Sequence, residues 1–380
     1  MSRVGIIGGG INGLFISWRL SLQGFEVDLF ESGNVLQQTS SASSKLLHGG
    51  IRYLEQGHLG LVRESLIDRA WWLSNAIDFC HPVNICMPGF RDSPRSLMKL
   101  YAGAVLYRLI AGKHSLGANS WTGHDETRRR FPDLNPTNLL GSVSFYDAQM
   151  NEEKLGAWVA GEAKKSGVKI HEHTRVDRFT VDAEIVTSRF GSSKYDFIVN
   201  AAGPWAAQLN TINDIETKYY LRLIRGSHLL LNREVSGAFL FQEPNGGRVV
   251  FVLPYLGKTL VGTTEVPQCI DADIKCSDEE RSYLLGVFNK NFSQLVGEQD
   301  IELEFSGLRP IVSSKSERKE GYFSFASREA KLEITGKLLT VYGGKWTSAP
   351  SLSRKVVKKI NTIILFHLQK NQTLQMRKNT

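Results

Sequence analysis

The stretch Gly8-Gly9-Gly10-Ile11-Asn12-Gly13 constrains the fold of this chain more than any other. Arg3 to Ile7 ahead of it reads as a buried strand, Leu14 to Leu22 behind it as a helix, and Glu26 to Phe30 as a second strand ending in Glu31. Strand, glycine turn, helix and strand in that order make a dinucleotide-binding βαβ unit. Gly8 permits the tight turn, Gly10 lets backbone approach a pyrophosphate, and Gly13 lets helix and strand pack closely, with Ile11 and Asn12 on the same turn. The helix N-terminus offers N–H groups and a positive dipole end to the phosphates. Glu31 is placed to accept hydrogen bonds from ribose hydroxyls. The motif does not choose between NAD and FAD.

At 380 residues and 42% hydrophobic, the chain is sized for two domains with full cores, which excludes a disordered or disulfide-stapled class. Its four cysteines, Cys80, Cys86, Cys269 and Cys276, have no metal-knuckle spacing and suit a reducing cytoplasm. No secretory signal is read at the N-terminus, and no apolar run reaches the roughly 18 residues of a spanning helix. The net charge of +8 gathers at the C-terminus, where Arg354, Lys355, Lys358, Lys359, Lys370, Arg377 and Lys378 follow Ser351 with no acid among them. A nearly neutral body argues against nucleic acid as a partner. Leu352, Val356, Ile360, Ile363, Ile364 and Leu368 recur at helical spacing in the same tail. That helix either docks on the core or meets an anionic membrane surface.

Three further blocks suit a large anionic ligand. Tyr195 to Val199 reads as a strand that stops at Asn200-Ala201-Ala202-Gly203-Pro204-Trp205, small residues against which a ligand can lie. Ser306-Gly307-Leu308-Arg309-Pro310 and Tyr342-Gly343-Gly344-Lys345-Trp346-Thr347 each set a cation beside glycines. The segment from Thr39 to Leu54 holds Ser40, Ser44, Lys45, Leu46, His48, Arg52 and Tyr53, and its hydroxyls and short side chains suit a loop closing over phosphates and a ring system.

With these blocks the chain resembles the FAD-dependent glycerol-3-phosphate dehydrogenases and oxidases, within the D-amino-acid-oxidase-like flavoproteins. The resemblance also rests on Arg225-Gly226-Ser227-His228 and Gly262-Thr263-Thr264, and extends from residue 4 to about 348. It implies an α/β chain, α+β overall, with a Rossmann-like parallel-sheet FAD-binding domain over 1–75, 145–205 and 305–368. An antiparallel-sheet substrate domain over 76–144 and 206–304 and a disordered basic tail over 369–380 complete it. Strands are expected at Tyr220 to Leu231, Arg248 to Pro254 and Thr259 to Thr263. Val176 joins the glycine turns, the Thr39 to Leu46 loop, Ala201 to Gly203, Trp205 and the Gly343 to Thr347 turn as the expected FAD contacts. The chain departs from the family in Glu265, where aspartate is usual, in Trp346, and in ending some 35 residues after Lys345 without the dehydrogenases' helical domain.

The activity implied is oxidation of sn-glycerol 3-phosphate to dihydroxyacetone phosphate, with quinone or oxygen as acceptor, in the cytoplasm or on the inner face of the membrane. Such a reaction needs a base for the hydroxyl proton and a cation for the emerging oxygen. Arg309 and Lys345 are the expected cations, His48 and His228 compete as base, and Arg52, Tyr53 and Thr264 are expected at the phosphate. The alternatives are an oxidase of an amino or 2-hydroxy acid on the same fold, and an idle flavoprotein binding an anionic partner through its tail.

Overall fold

A computed structural model describes residues 2–243, 248–314 and 329–378, with side chains to residue 363 in the last helix. By contacts the chain divides into two units, one of Met1–Gln37, Gly156–Tyr220 and Ala330–Thr380, the other of Gln38–Leu155 and Leu221–Glu329.

The first unit is built on a six-stranded sheet in the order Lys331–Thr335, Leu338–Tyr342, Phe197–Asn200, Arg3–Ile7, Glu26–Phe30, Lys169–His171. All neighbours are parallel except the first pair. Parallel strands are buried on both faces, and Val4, Ile6, Leu29, Val199 and Leu339 are accordingly 2% exposed or less. The helix Ile11–Ser21 follows the first strand, and Trp18 meets Trp158 edge to face at 5.5 Å. A small antiparallel sheet of Val176–Phe179, Glu184–Thr187 and Gly191–Lys194 completes the strands.

The closing helix of this unit runs from Ala349 to Lys378, so residues 369–378 are helical where a structureless tail was expected. Leu352, Val356 and Ile360 are buried, and Ser353 accepts a 3.0 Å hydrogen bond from Arg19. Arg354, Lys355, Lys358 and Lys359 are exposed. The apolar stripe of the tail, as far as its side chains are described, is thus spent on the protein's own core. Ile364, Leu368, Lys370, Arg377 and Lys378 have side chains outside the described residues.

The second unit holds a mainly antiparallel ten-stranded sheet. Tyr219–Leu231, Val249–Tyr255 and Lys258–Gly262 fall within two residues of the strands expected there. Side-chain alternation splits this sheet between two cores. Cys86, Phe239 and Phe241 pack with Leu284 and Phe288 of the helix Asp278–Asn291, while Ile85, Met87 and Leu240 pack with the helices Leu59–Asn75 and Leu97–Ala111. Ser277 and Glu280 form a capping box that starts the first of these helices.

Residues 38–75, expected with the nucleotide fold, group instead with the second unit. Leu46–Leu47 add to the strand Leu139–Met150, and Thr39 Oγ1 donates to Leu308 O at 2.9 Å. Residues 145–155 and 305–329 fall in the same unit, and 206–220 in the first.

Candidate active site

In the first unit the glycine motif is shaped by close backbone approach. A Cβ on Gly13 would stand 1.9 Å from the Gly8 carbonyl oxygen, and one on Gly8, whose φ is +104°, would stand 2.8 Å from both Ala201 O and Ala202 Cα. Only glycine fits either position. The strand Phe197–Asn200 therefore exits at Ala201-Ala202-Gly203 directly against the first turn, with Ala201 N donating to Ile7 O at 2.8 Å. Asn200 fixes that exit by accepting from Ala202 N and donating to Ala206 O and Asn210. Trp205 N closes it on Ala202 O.

The strand Leu338–Tyr342 brings Gly343 and Gly344, at φ +78° and +97°, to the same C-terminal end of the parallel strands. A Cβ on Gly344 would lie 2.7 Å from Asn12 Nδ2, so the second glycine turn rests on the first. Lys345 and Thr347 follow it, Thr347 being 1% exposed. Glu31 Oε2 accepts from Gly9 N at 2.7 Å and Oε1 from Gly33 N at 2.9 Å, which ties the carboxylate to the glycine loop with acceptor capacity to spare. Thr174 N donates to Glu31 O and sets Val176 two residues on, at the start of its strand.

These residues fit a dinucleotide. The helix Ile11–Ser21 begins at Gly10 with no side-chain cap and no acid in its first turn, as anion binding requires. Asn12 Oδ1 is buried with no hydrogen-bond partner among the described residues, an acceptor suited to a ligand hydroxyl.

In the second unit a polar cluster forms around the serine-rich loop. His228 is 1% exposed and stacks on Phe305 with ring centroids 5.0 Å apart. Its Nε2 shares a 2.9 Å hydrogen bond with Ser44 Oγ. A Cβ on Gly262 would stand 2.2 Å from the imidazole, so that glycine makes room for the ring. Burial, then the charges of Arg309 and Lys45, hold His228 well below its ordinary pKa of 6.5 and keep it neutral. Arg309 donates to Thr263 Oγ1 and lies over Gly226, where a Cβ would be 2.2 Å from Nη2. Arg52 Nη1 and Arg309 Nη1 each lie 3.9 Å from the same oxygen, Oε1 of Glu265.

Several expectations are redrawn. Thr264 donates its one hydroxyl proton to Glu280 and accepts from Ser227 N at 2.8 Å, so it braces the sheet and has no donor left for a phosphate. Lys45 is buried with Nζ on Glu152 and on Ser41 O, so its charge is matched by protein. Tyr53 is 6% exposed, its ring inside an apolar cluster and against Gly50. Cys80, beside His81, is buried with its thiol pushed up to about 11, an inert sulfur. Ser40 and Leu46 are buried in the same loop region, and His48 is half-buried. Glu152 and Asp147 escaped the sequence reading. Glu152 looks like any acid in a helix first turn, and Asp147 lies within a strand, so only their distant partners mark them.

The FAD-dependent oxidoreductase family model, designated DAO, matches residues 3–355. The glycerol-3-phosphate dehydrogenase of Pseudomonas aeruginosa is 32% identical over 377 residues, covering 94% of this chain and 71% of that protein. In solved structures, the glycerol-3-phosphate dehydrogenase of Bacillus halodurans complexed with FAD aligns with a TM-score of 0.75 at 23% identity over 96% of this chain and 65% of that one. The glycine oxidase of Geobacillus kaustophilus aligns with the same TM-score at 21% identity over 95% of each chain, so the fold alone does not choose a substrate. By the extent of its family match, with the glycine turns built as that cofactor requires, the chain belongs to the FAD-dependent oxidoreductases of the DAO family.

Proposed function

We propose that this enzyme oxidises sn-glycerol 3-phosphate to dihydroxyacetone phosphate. One observation carries the reading: two guanidinium groups, from Arg52 and Arg309, converge on a single carboxylate oxygen of Glu265. Two guanidiniums that flank one anionic oxygen suit a small phosphorylated alcohol, whose phosphate Arg52 can hold while Arg309 faces the reacting oxygen. The 32% identical relative bears the matching name, whereas the amino-acid oxidase neighbour is similar at the level of fold.

The chemistry a bound FAD would supply is acceptance of a hydride from C2 of the alcohol. The glycine turns, Glu31, Asn12 and the Gly343 to Thr347 turn would hold the cofactor. His48 takes the hydroxyl proton. His228 is the poorer base, since its lone pair or proton at Nε2 is shared with Ser44 and its basicity is depressed. Arg309 stabilises the developing oxygen charge, and Arg52 binds phosphate.

Anaerobic mixing tests this. Glycerol 3-phosphate bleaches the flavin within the dead time of hand mixing, while a panel of amino and 2-hydroxy acids leaves it yellow; the reverse pattern overturns the assignment. Reoxidation by a quinone analogue against oxygen then names the acceptor.

No helix among the described residues is long and apolar enough to cross a membrane. A membrane quinone would be met at the surface, and the helix Leu97–Ala111 suits that better than the tail. Met98 and Leu109 are each 70% exposed at its two ends, Trp121 lies beside Tyr101 at 5.6 Å, and Arg108 and Lys113 are exposed near Leu109. Cations beside exposed apolar side chains complement an anionic bilayer. Paired Met98→Glu and Leu109→Glu changes should cut sedimentation with phosphatidylglycerol vesicles about tenfold, by loss of burial and by repulsion. Unchanged sedimentation removes this surface.

A further inference from the structure

A buried polar cluster in the second unit has no part in the scheme above. Asp147, on the strand Leu139–Met150, is 2% exposed, and Arg69, on the helix Leu59–Asn75, is 1% exposed. Arg69 Nη1 donates to Asp147 Oδ1 at 2.9 Å and to Tyr146 O at 3.1 Å, and Nη2 to His114 O at 2.8 Å. Tyr107, also 2% exposed, sets its hydroxyl 2.9 Å from both oxygens of Asp147.

Desolvating a pair of charges is costly and rarely repaid by their attraction alone. What this pair does locally is hold one amide: Gly49 N donates to Asp147 Oδ1 at 3.3 Å. That amide is the peptide group joining His48 to Gly49, so its orientation sets the backbone of His48 and hence the direction of the imidazole. The approach is tight on the other side too, because a Cβ on Gly49 would stand 2.4 Å from the Tyr107 hydroxyl and 2.6 Å from Leu66 Cδ2. Three elements distant in sequence thus converge on the peptide next to the proposed base.

We infer that Asp147, held by Arg69 and Tyr107, is a positioning residue that aims His48 through the His48-Gly49 peptide. The inference deepens the proposed function and rests on His48 being the base. Tyr107→Phe is the informative change, since it removes one hydroxyl and leaves the buried ion pair whole, whereas Asp147→Asn strands Arg69 and endangers folding.

Two readouts follow. Per bound flavin, the anaerobic rate of reduction by glycerol 3-phosphate falls about tenfold in Tyr107→Phe with KM little changed, because misplacing a reacting group lowers the chemical step. In histidine-labelled protein, the imidazole resonance of His48, assigned with His48→Gln, moves and titrates differently in Tyr107→Phe while those of His58 and His81 stay in place. A role confined to stability lowers Tm and flavin content and moves neither readout, and that result overturns the inference. If the wild-type flavin is not reduced at all, the substrate assignment has failed, and the His48 resonance still decides the positioning role by itself.

Discussion

Glycines carry much of the chemistry at the scale of single residues, because they decide where a cation or ring can sit. Gly226 is the sharpest case: a methyl there meets Arg309 Nη2 at 2.2 Å and Thr263 Oγ1 at 2.6 Å. Gly226→Ala therefore displaces the guanidinium, and kcat should fall on the order of a hundredfold while flavin content holds, as for loss of one oxyanion donor. Absorbance at the flavin band and steady-state rates check both halves. Arg52 differs in kind, since it serves binding. Arg52→Ala should raise KM for glycerol 3-phosphate by about a hundredfold, the cost of a charge-assisted contact of about 2.7 kcal/mol, without loss of flavin. Unchanged kinetics remove Arg52 from the phosphate site. Gly8, Gly13 and Gly344 are legible in the sequence because each stands in a glycine-rich turn that directly follows a strand. The role of Gly226 is not, because the atom it makes room for lies some eighty positions away.

Among the elements, the first strand, its helix and the second strand fall where the sequence puts them, and the substrate-domain strands match within two residues. The last helix was read correctly as amphipathic, but periodicity does not say what its apolar face meets. Leu352, Val356 and Ile360 are buried against protein. Truncation after Ser351 removes all three, and at about 2 kcal/mol for each buried aliphatic side chain the first unit should lose roughly 6 kcal/mol. Tm and flavin content are expected to collapse together. A truncated chain that folds and stays yellow with an unshifted Tm contradicts the burial.

For the whole molecule, stability is linked to protonation through His228. The unfolded chain binds a proton there near pH 6.5, and the folded one only well below that value. Between the two, the unfolded state holds more protons, so stability is complete above about pH 6.5 and declines as pH falls, by up to about 1.4 kcal/mol per pH unit for one proton. Wild type should lose Tm between pH 7 and 5 more steeply than His228→Gln. Parallel slopes show that the histidine is protonated in the fold. Asp28, whose pKa is lowered against its burial by hydrogen bonds from His171 and Arg3, adds its own loss only at lower pH, below about 3.8.

The order of residues alone determined the nucleotide-binding fold, a dinucleotide as its ligand and the cation-bearing turns, since motif spacing, strand and helix periods and helix-end electrostatics act over a few neighbouring positions. Tertiary structure alone decided the rest. It paired Lys45 with Glu152, withdrew Thr264 into a brace with Glu280, brought Arg52 and Arg309 to one oxygen of Glu265, and set Asp147 on the peptide after His48. Each is a contact between positions remote in the chain, and a buried charge or hydroxyl takes its role from the partner that desolvation obliges it to find.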